Sequence, residues 1–195
     1  MEDYMQNILL VIDMQKDFVD GVLGTAEAQA IVPVVREKIL GHTGKVYYTR
    51  DTHEEAYMDT REGKRLPVPH CIRGTDGWQI IDALQGLPCD GVIDKPTFGS
   101  VELMERLLAE NEKDSIGQIT LIGVCTDICV ISNAMLVKAA LPEVDVVVDA
   151  ACCAGGDASV SRDSTGCNES LSDGYRKWIN GNTVRNCFTV GRYFS

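Results

Sequence analysis

Short apolar runs alternate with longer amphipathic segments along most of this chain. Residues 7–12 (NILLVI) form one such run, which stops at Asp13. An apolar run of that length, without polar alternation, reads as a strand buried on both faces of a parallel sheet. Further strands are predicted over 45–49 (KVYYT), 91–94 (GVID), 119–124 (ITLIGV) and 144–149 (VDVVVD), with a last candidate over 184–190. Helical spacing predicts helices over 26–40, 101–111 and 131–141, the last ended by Pro142; Pro33 is tolerable only near a first turn or as a kink. Residues 14–24 look too irregular for a helix. Residues 77–81 should begin a short helix ending near Gly86, and 150–156 should be a loop of small residues. A final helix is expected from 163 or 164 to 179, with Asn180-Gly181 closing it. Strands and helices taken in turn imply an α/β fold, a parallel sheet with helices on both faces.

Chemistry-bearing side chains fall where these strands stop, the edge at which open α/β sheets bind their ligands. The stretch ITLIGVCTDICVIS reads as strand, tight turn and helix start, with Thr126 or Asp127 as the N-cap and Cys129 in the first helical turn. The positive end of a helix dipole biases a cysteine toward thiolate, the nucleophilic form. An isolated cysteine in an apolar helix is ordinarily packing, and it is the company elsewhere that changes the reading. Asp13 ends the first strand, as an acid or base or as a loop-capping residue. Lys95 ends the third; alone it would be a surface charge, but beside Asp13 and Cys129 it is a cation placed to favour a thiolate. The second strand runs into Asp51-x-His53. A long loop over 54–77 follows, in which Pro67 and Pro69 impose an extended approach to His70. Asp51, His53, Glu62 and His70 are donors that suit a divalent transition metal, against the plainer reading of solvated loop polars. Phe18 is a candidate pocket wall, and His42 looks structural.

With 195 residues, 45% of them hydrophobic, the chain is long enough for a single domain over 1–195, and no linker divides it. A net charge of −11 disfavours nucleic acid and anionic membrane surfaces as partners and favours a small molecule. No run reaches the roughly 18 apolar residues of a membrane span. Met1-Glu2-Asp3-Tyr4 lacks the basic start of a secretory signal, so a cytoplasmic location is expected. In a reducing compartment most of the eight cysteines should be thiols, and the absence of a CxxC pair argues against a four-cysteine zinc site.

Five motifs, LLVIDMQKDF, TRDTH, PVPHCIRGT, DKPTFGS and GVCTDICV, occur in that order within residues 7–150. Carrying all five in register, the chain resembles the isochorismatase-like cysteine hydrolases, and within them is most similar to the nicotinamidases. The resemblance implies a three-layer α-β-α fold with a six-stranded, mainly parallel sheet. It implies a triad of Asp13, Lys95 and Cys129, a cis peptide between Val124 and Cys125, and an oxyanion hole from the backbone N–H groups of Cys125 and Cys129. Asp51, His53 and His70 become metal ligands, with Glu62 matching an additional ligand in part of the family; zinc is the first choice, iron or manganese the alternatives. The implied reaction converts nicotinamide to nicotinate and ammonia through a Cys129 thioester. Nicotinamidases often carry Trp three residues before the second metal histidine, where this chain has Pro67. Pocket aromatics must then come from Phe18, Tyr57 and Phe98. As partners the reading expects a small-molecule amide and a second copy of the chain in a homo-oligomer, with no nucleic acid and no membrane. A related amidase or ureide hydrolase would keep the triad without needing a ring-binding metal, whereas isochorismatases themselves lack the nucleophilic cysteine. Outside enzymes, the rival is a zinc- or redox-responsive binding protein using Cys125 and Cys129 at i and i+4.

Overall fold

Strand β1 (Gln6–Ile12) runs through the middle of the molecule, and its side chains serve both faces of the sheet. Ile8, Leu10 and Ile12 enter one core and Leu9 and Val11 the other, all five fully buried, as the two-residue period of a strand requires. Hence the run carries no polar alternation. The computed structural model describes residues 5–155 and, for residues 188–190, the backbone alone. The remaining strands are β2 (Lys45–Asp51), β3 (Gly91–Lys95), β4 (Ile116–Val124), β5 (Asp145–Ala154) and β6 (Phe188–Val190). They form one six-stranded sheet in the order β3-β2-β1-β4-β5-β6, parallel except for β6, which runs antiparallel to β5.

Helices α1 (Lys16–Val19) and α2 (Ala26–Leu40) cover one face. There Ala28, Ile31, Val35 and Ile39 pack with Leu9, Val11 and Ile122. Helices α3 (Val101–Lys113) and α4 (Ile131–Ala140) cover the other, where Leu103, Leu107, Ala134 and Val137 join Ile8, Leu10, Ile119 and Leu121. The result is the three-layer arrangement the sequence implied. Each fully buried aliphatic side chain in these layers contributes about 1.5–3 kcal/mol. Side-chain caps define the helix starts: Ala28 N–H donates to Thr25 Oγ1 at 3.0 Å, and Leu103 N–H to Ser100 Oγ at 3.1 Å. No helix among the described residues is long and apolar enough to cross a membrane.

Four local expectations change. Pro33 lies inside α2 rather than near its first turn, on the exposed side of the helix. Residues 16–19, within the segment read as too irregular, make one helical turn. Residues 77–81 are not helical, and only Asp82–Leu84 makes a 3₁₀ turn. Their backbone is engaged by the segment after β1 and the start of α1 instead: Lys16 N–H donates to Gln79 O at 2.9 Å, Asp17 N–H to Gly77 O at 3.0 Å, and Ile81 N–H to Met14 O at 3.0 Å. Finally β5 continues through Ala154 where a loop was expected. Leu121 pairs with Val148 but Gly123 with Cys153, so a bulge takes up the extra residues. Small side chains at 150–154 let that strand resume against β4. Of the strand expected over 184–190, residues 188–190 form β6 and the rest lie outside the described residues, as does the expected helix over 163–179.

Candidate active site

Three strand ends and one helix start meet at the C-terminal edge of the sheet. Asp13 follows β1 in a left-handed conformation, φ 48°. Its N–H donates to Thr49 Oγ1 at 3.2 Å, and the Thr49 hydroxyl donates back to Asp13 Oδ1 at 2.6 Å. Lys95, the last residue of β3, is completely buried. Its Nζ lies 2.6 Å from Asp13 Oδ2, 3.2 Å from Asp51 Oδ1, 3.2 Å from Thr97 O and 3.5 Å from Cys129 Sγ. Cys129, only 4% exposed, comes from the far side of β1. Near the end of β4, Gly123 adopts φ +115°, and a Cβ there would sit 2.1 Å from Ile12 O, so only glycine lets β4 pass the end of β1 this closely. The peptide Val124–Cys125 is cis.

The turn carrying Cys129 differs from the expected helix start. Residues Thr126–Val130 form a π-helical turn, and the N-cap is Cys125, not Thr126 or Asp127. No side chain caps it; instead Cys125 O accepts from Ile128 N–H and Val130 N–H, both at 3.1 Å. The thiolate bias read from a helix N-terminus is also opposed by burial. Burial pushes the Cys129 thiol well above its ordinary range and Asp13 adds to this, while the Lys95 ammonium opposes both. Burial likewise raises the Asp13 carboxyl, against the pull of Lys95. For Lys95 burial disfavours the charge, yet Asp13, Cys129 and Asp51 together outweigh it and hold the ammonium above its usual range. The arrangement is therefore a buried lysine shared by two carboxyl groups beside a thiol whose ionisation burial disfavours.

Asp51, which ends β2, faces two ways. Its Oδ1 meets Lys95, while Oδ2 lies 3.1 Å from His53 Nε2 and 3.7 Å from His70 Nε2. Donor atoms of Asp51, His53 and His70 all lie within 4.8 Å of one another. Glu62 Oε1 is 3.8 Å from His53 Nε2, on a side chain that is 25% exposed. The donor set fits a divalent metal by two observations. His70 Nδ1 is 2.8 Å from Val68 O, which assigns the proton to Nδ1 and leaves the Nε2 lone pair for a ligand bond. His53 Nε2 is buried and makes no hydrogen bond among the described residues, although it lies close to Asp51. Two nitrogens and the Asp51 carboxylate on one point, with Glu62 beside His53, suit zinc, iron or manganese.

Aromatic rings pack around these ligands. Tyr57 lies with its ring 4.6 Å from that of His53 and 5.0 Å from that of His70, and Phe18 is 5.5 Å from His70. Tyr57 is almost fully buried and its hydroxyl donates to Leu66 O, so it backs the histidines. Phe98 sits on the turn after Lys95 and is 45% exposed. The 54–77 loop is held to the sheet by main-chain bonds on both sides of His53, from its N–H to Cys71 O at 3.0 Å and from Arg73 N–H to its O at 2.8 Å. It is also held by side chains. The Arg50 guanidinium stacks 3.6 Å over the Trp78 ring, and Asp94 accepts from Arg50 Nε at 2.8 Å and Arg73 Nη1 at 3.0 Å.

Reading the sequence missed Gln15 and Thr49. Gln15 is fully buried; its Oε1 accepts from Asp51 N–H at 2.7 Å and its Nε2 donates to Asp51 O and Trp78 O, both at 2.9 Å. It fastens the end of β2 to the end of β1. The one available signal was a glutamine two residues beyond Asp13, in a segment otherwise read as loop.

Comparisons place this geometry among known proteins. The isochorismatase domain family matches residues 7–165. An uncharacterized isochorismatase family protein, PncA, of Bacillus subtilis is 32% identical over 145 residues, covering 67% of this chain and 78% of its own. A nicotinamidase of Schizosaccharomyces pombe is 28% identical over 167 residues, covering 65% and 74%. Among solved structures, the pyrazinamidase of Pyrococcus horikoshii in complex with zinc superposes with a TM-score of 0.62 at 27% identity, covering 79% of this chain and 89% of that one. A family match over most of the described fold, on a chain whose strand ends bring an acid, an ammonium and a thiol into contact, leaves one assignment: this protein belongs to the isochorismatase domain family and is a hydrolase of it.

Proposed function

We propose that the protein is a nicotinamidase-like amidohydrolase in which Asp13, Lys95 and Cys129 carry the reaction. The observation that carries this reading is the Lys95 ammonium, which touches Asp13, Asp51 and Cys129 at once and so joins a nucleophile site to a metal-ligand cluster. Asp13 takes the Cys129 proton, and its burial-raised basicity suits it to that task. Lys95 stabilises the charge on sulfur, and the thiolate attacks the carboxamide carbon. Backbone N–H groups of Cys125 and Cys129 hold the oxyanion. Asp13 then protonates the departing ammonia, leaving a thioester, and serves again as base when water hydrolyses it. A divalent metal, zinc first among the choices, held by Asp51, His53 and His70 with Glu62 beside them, would bind the pyridine nitrogen and orient the ring. Phe18, Tyr57 and Phe98 supply the aromatic surroundings of the pocket.

Nicotinamide is favoured as substrate by the relative named nicotinamidase and by a donor cluster that an aliphatic amide would not require. The rival zinc- or redox-responsive role for Cys125 and Cys129 has less support, because both are free thiols and the clustered metal donors among the described residues include no cysteine. The test is ammonia release from nicotinamide, pyrazinamide and several aliphatic amides by the zinc-loaded protein. Preferential turnover of the two ring amides is the expected result. Turnover of aliphatic amides alone would move the protein to another amidase class, and no release from any amide would remove the proposal.

A further inference from the structure

Asn133 lies one helical turn beyond Cys129, on α4, and is 1% exposed. Its Oδ1 accepts from Ser100 N–H at 2.9 Å; its Nδ2 donates to Phe98 O at 3.1 Å and to Cys129 O at 2.8 Å. The partners assign the amide orientation, since turning it over would set donor against donor and acceptor against two acceptors. One buried side chain thus grips the turn 96–100 at two points and the main chain of the cysteine at a third. The same turn is held at Thr97 O by Lys95 Nζ, the atom that also approaches Cys129 Sγ. Close packing supports the contact: a Cβ on Gly99 would come 2.6 Å from Leu136 Cδ1 and 3.6 Å from Ser132 Cβ, both on α4.

We propose that Asn133 is a positioning residue for the nucleophile, clasping the 96–100 turn to the Cys129 carbonyl and so setting the separation of the Lys95 ammonium and the Cys129 sulfur. The proposal rests on Cys129 being the nucleophile. Its logic is geometric: lysine and cysteine come from elements on opposite sides of β1, and Asn133 spans them by hydrogen bonds that do not involve the reacting atoms. Two substitutions on α4 separate positioning from simple stability. Asn133→Asp keeps the acceptor for Ser100 N–H but faces two carbonyls with oxygen, and Asn133→Ser is too short to hold both sides.

Each zinc-loaded variant is treated with iodoacetamide, and alkylation of Cys129 is followed by peptide mapping, a readout that needs no substrate. Kinetics on the amide the wild type turns over and thermal unfolding are measured in parallel. Cys129 alkylation is expected to slow about tenfold in the folded variants, the size expected from losing one well-made hydrogen bond. The same loss should fall on kcat, with KM within about twofold of wild type. Alkylation at or above the wild-type rate in every folded variant overturns the proposal. So does a loss of kcat that vanishes when activity is referred to the folded fraction, because that marks a purely structural asparagine. Cys129→Ala keeps the two questions apart: full ammonia release by that variant sinks the nucleophile reading, whereas its silence combined with normal Asn133 variants sinks only the positioning role.

Discussion

The two halves of the site are built differently although they share Asp51. Asp13, Lys95 and Cys129 sit on strand ends and a helical turn, are at most 4% exposed, and are locked by Thr49, Thr97 and the packing of Gly123. His53, Glu62 and His70 stand on or beside a long loop; Glu62 reaches solvent, and the loop is fastened by a stacked Arg–Trp pair and partly exposed ion pairs. Proton transfer and nucleophilic attack tolerate little misplacement, so rigid elements suit them. Metal ligands sit here on a segment that carries part of its anchoring at the surface. Under the proposed function, the contrast assigns the nucleophilic chemistry to the first half and the holding of metal and ring to the second.

The largest expected effect comes from the rigid half. Cys129→Ala should lower ammonia release by at least about 10³-fold, while zinc content by elemental analysis stays at the wild-type level; a variant that loses both would join the two halves into one unit. Next is Lys95→Met, which leaves the buried carboxylates of Asp13 and Asp51 without their counter-ion and should cost about 3–5 kcal/mol in denaturant unfolding. His53→Ala should cost much less, about 1 kcal/mol, and equal losses would deny that stability is concentrated at Lys95. Third, zinc added to chelator-treated protein at about 100 times its Kd should stabilise it by about 2.7 kcal/mol. His70→Ala should abolish that gain, and an undiminished gain would place the metal elsewhere. The smallest effect should be that of Asp94→Ala, which releases Arg50 and Arg73 from the loop anchor. Zinc should dissociate about fivefold faster, in keeping with partly exposed ion pairs worth near 1 kcal/mol; an unchanged rate would assign the anchoring to the main-chain bonds of His53.

Much of this arrangement was readable before any coordinates. Asp13, Asp51, Lys95 and Cys129 each close or follow an apolar run, and the edge to which parallel strands deliver such residues is a property of the fold class. Three features were not readable. Residues 77–81 read as the start of a short helix, but residues 14–17, between β1 and α1 and in its first turn, take their carbonyls and N–H groups. Residues 150–154 look like a loop because small side chains carry no strand pattern, yet β4 offers them partners. The upward push on the Cys129 thiol comes from burial, a quantity no local pattern contains.

The linear order of apolar runs and breaks was enough for the layer architecture, the parallel sheet and the strand-end location of the reactive side chains, because the burial of a strand is written in its own residues. Contacts across the sheet set the rest: the shared ammonium of Lys95, the grip of Gln15 on Asp51, the clasp of Asn133, and the change of residues 126–130 from a capped α-helical start to a π turn. Each of these joins residues far apart in the chain or balances desolvation against charge, and such balances exist only once the layers have closed.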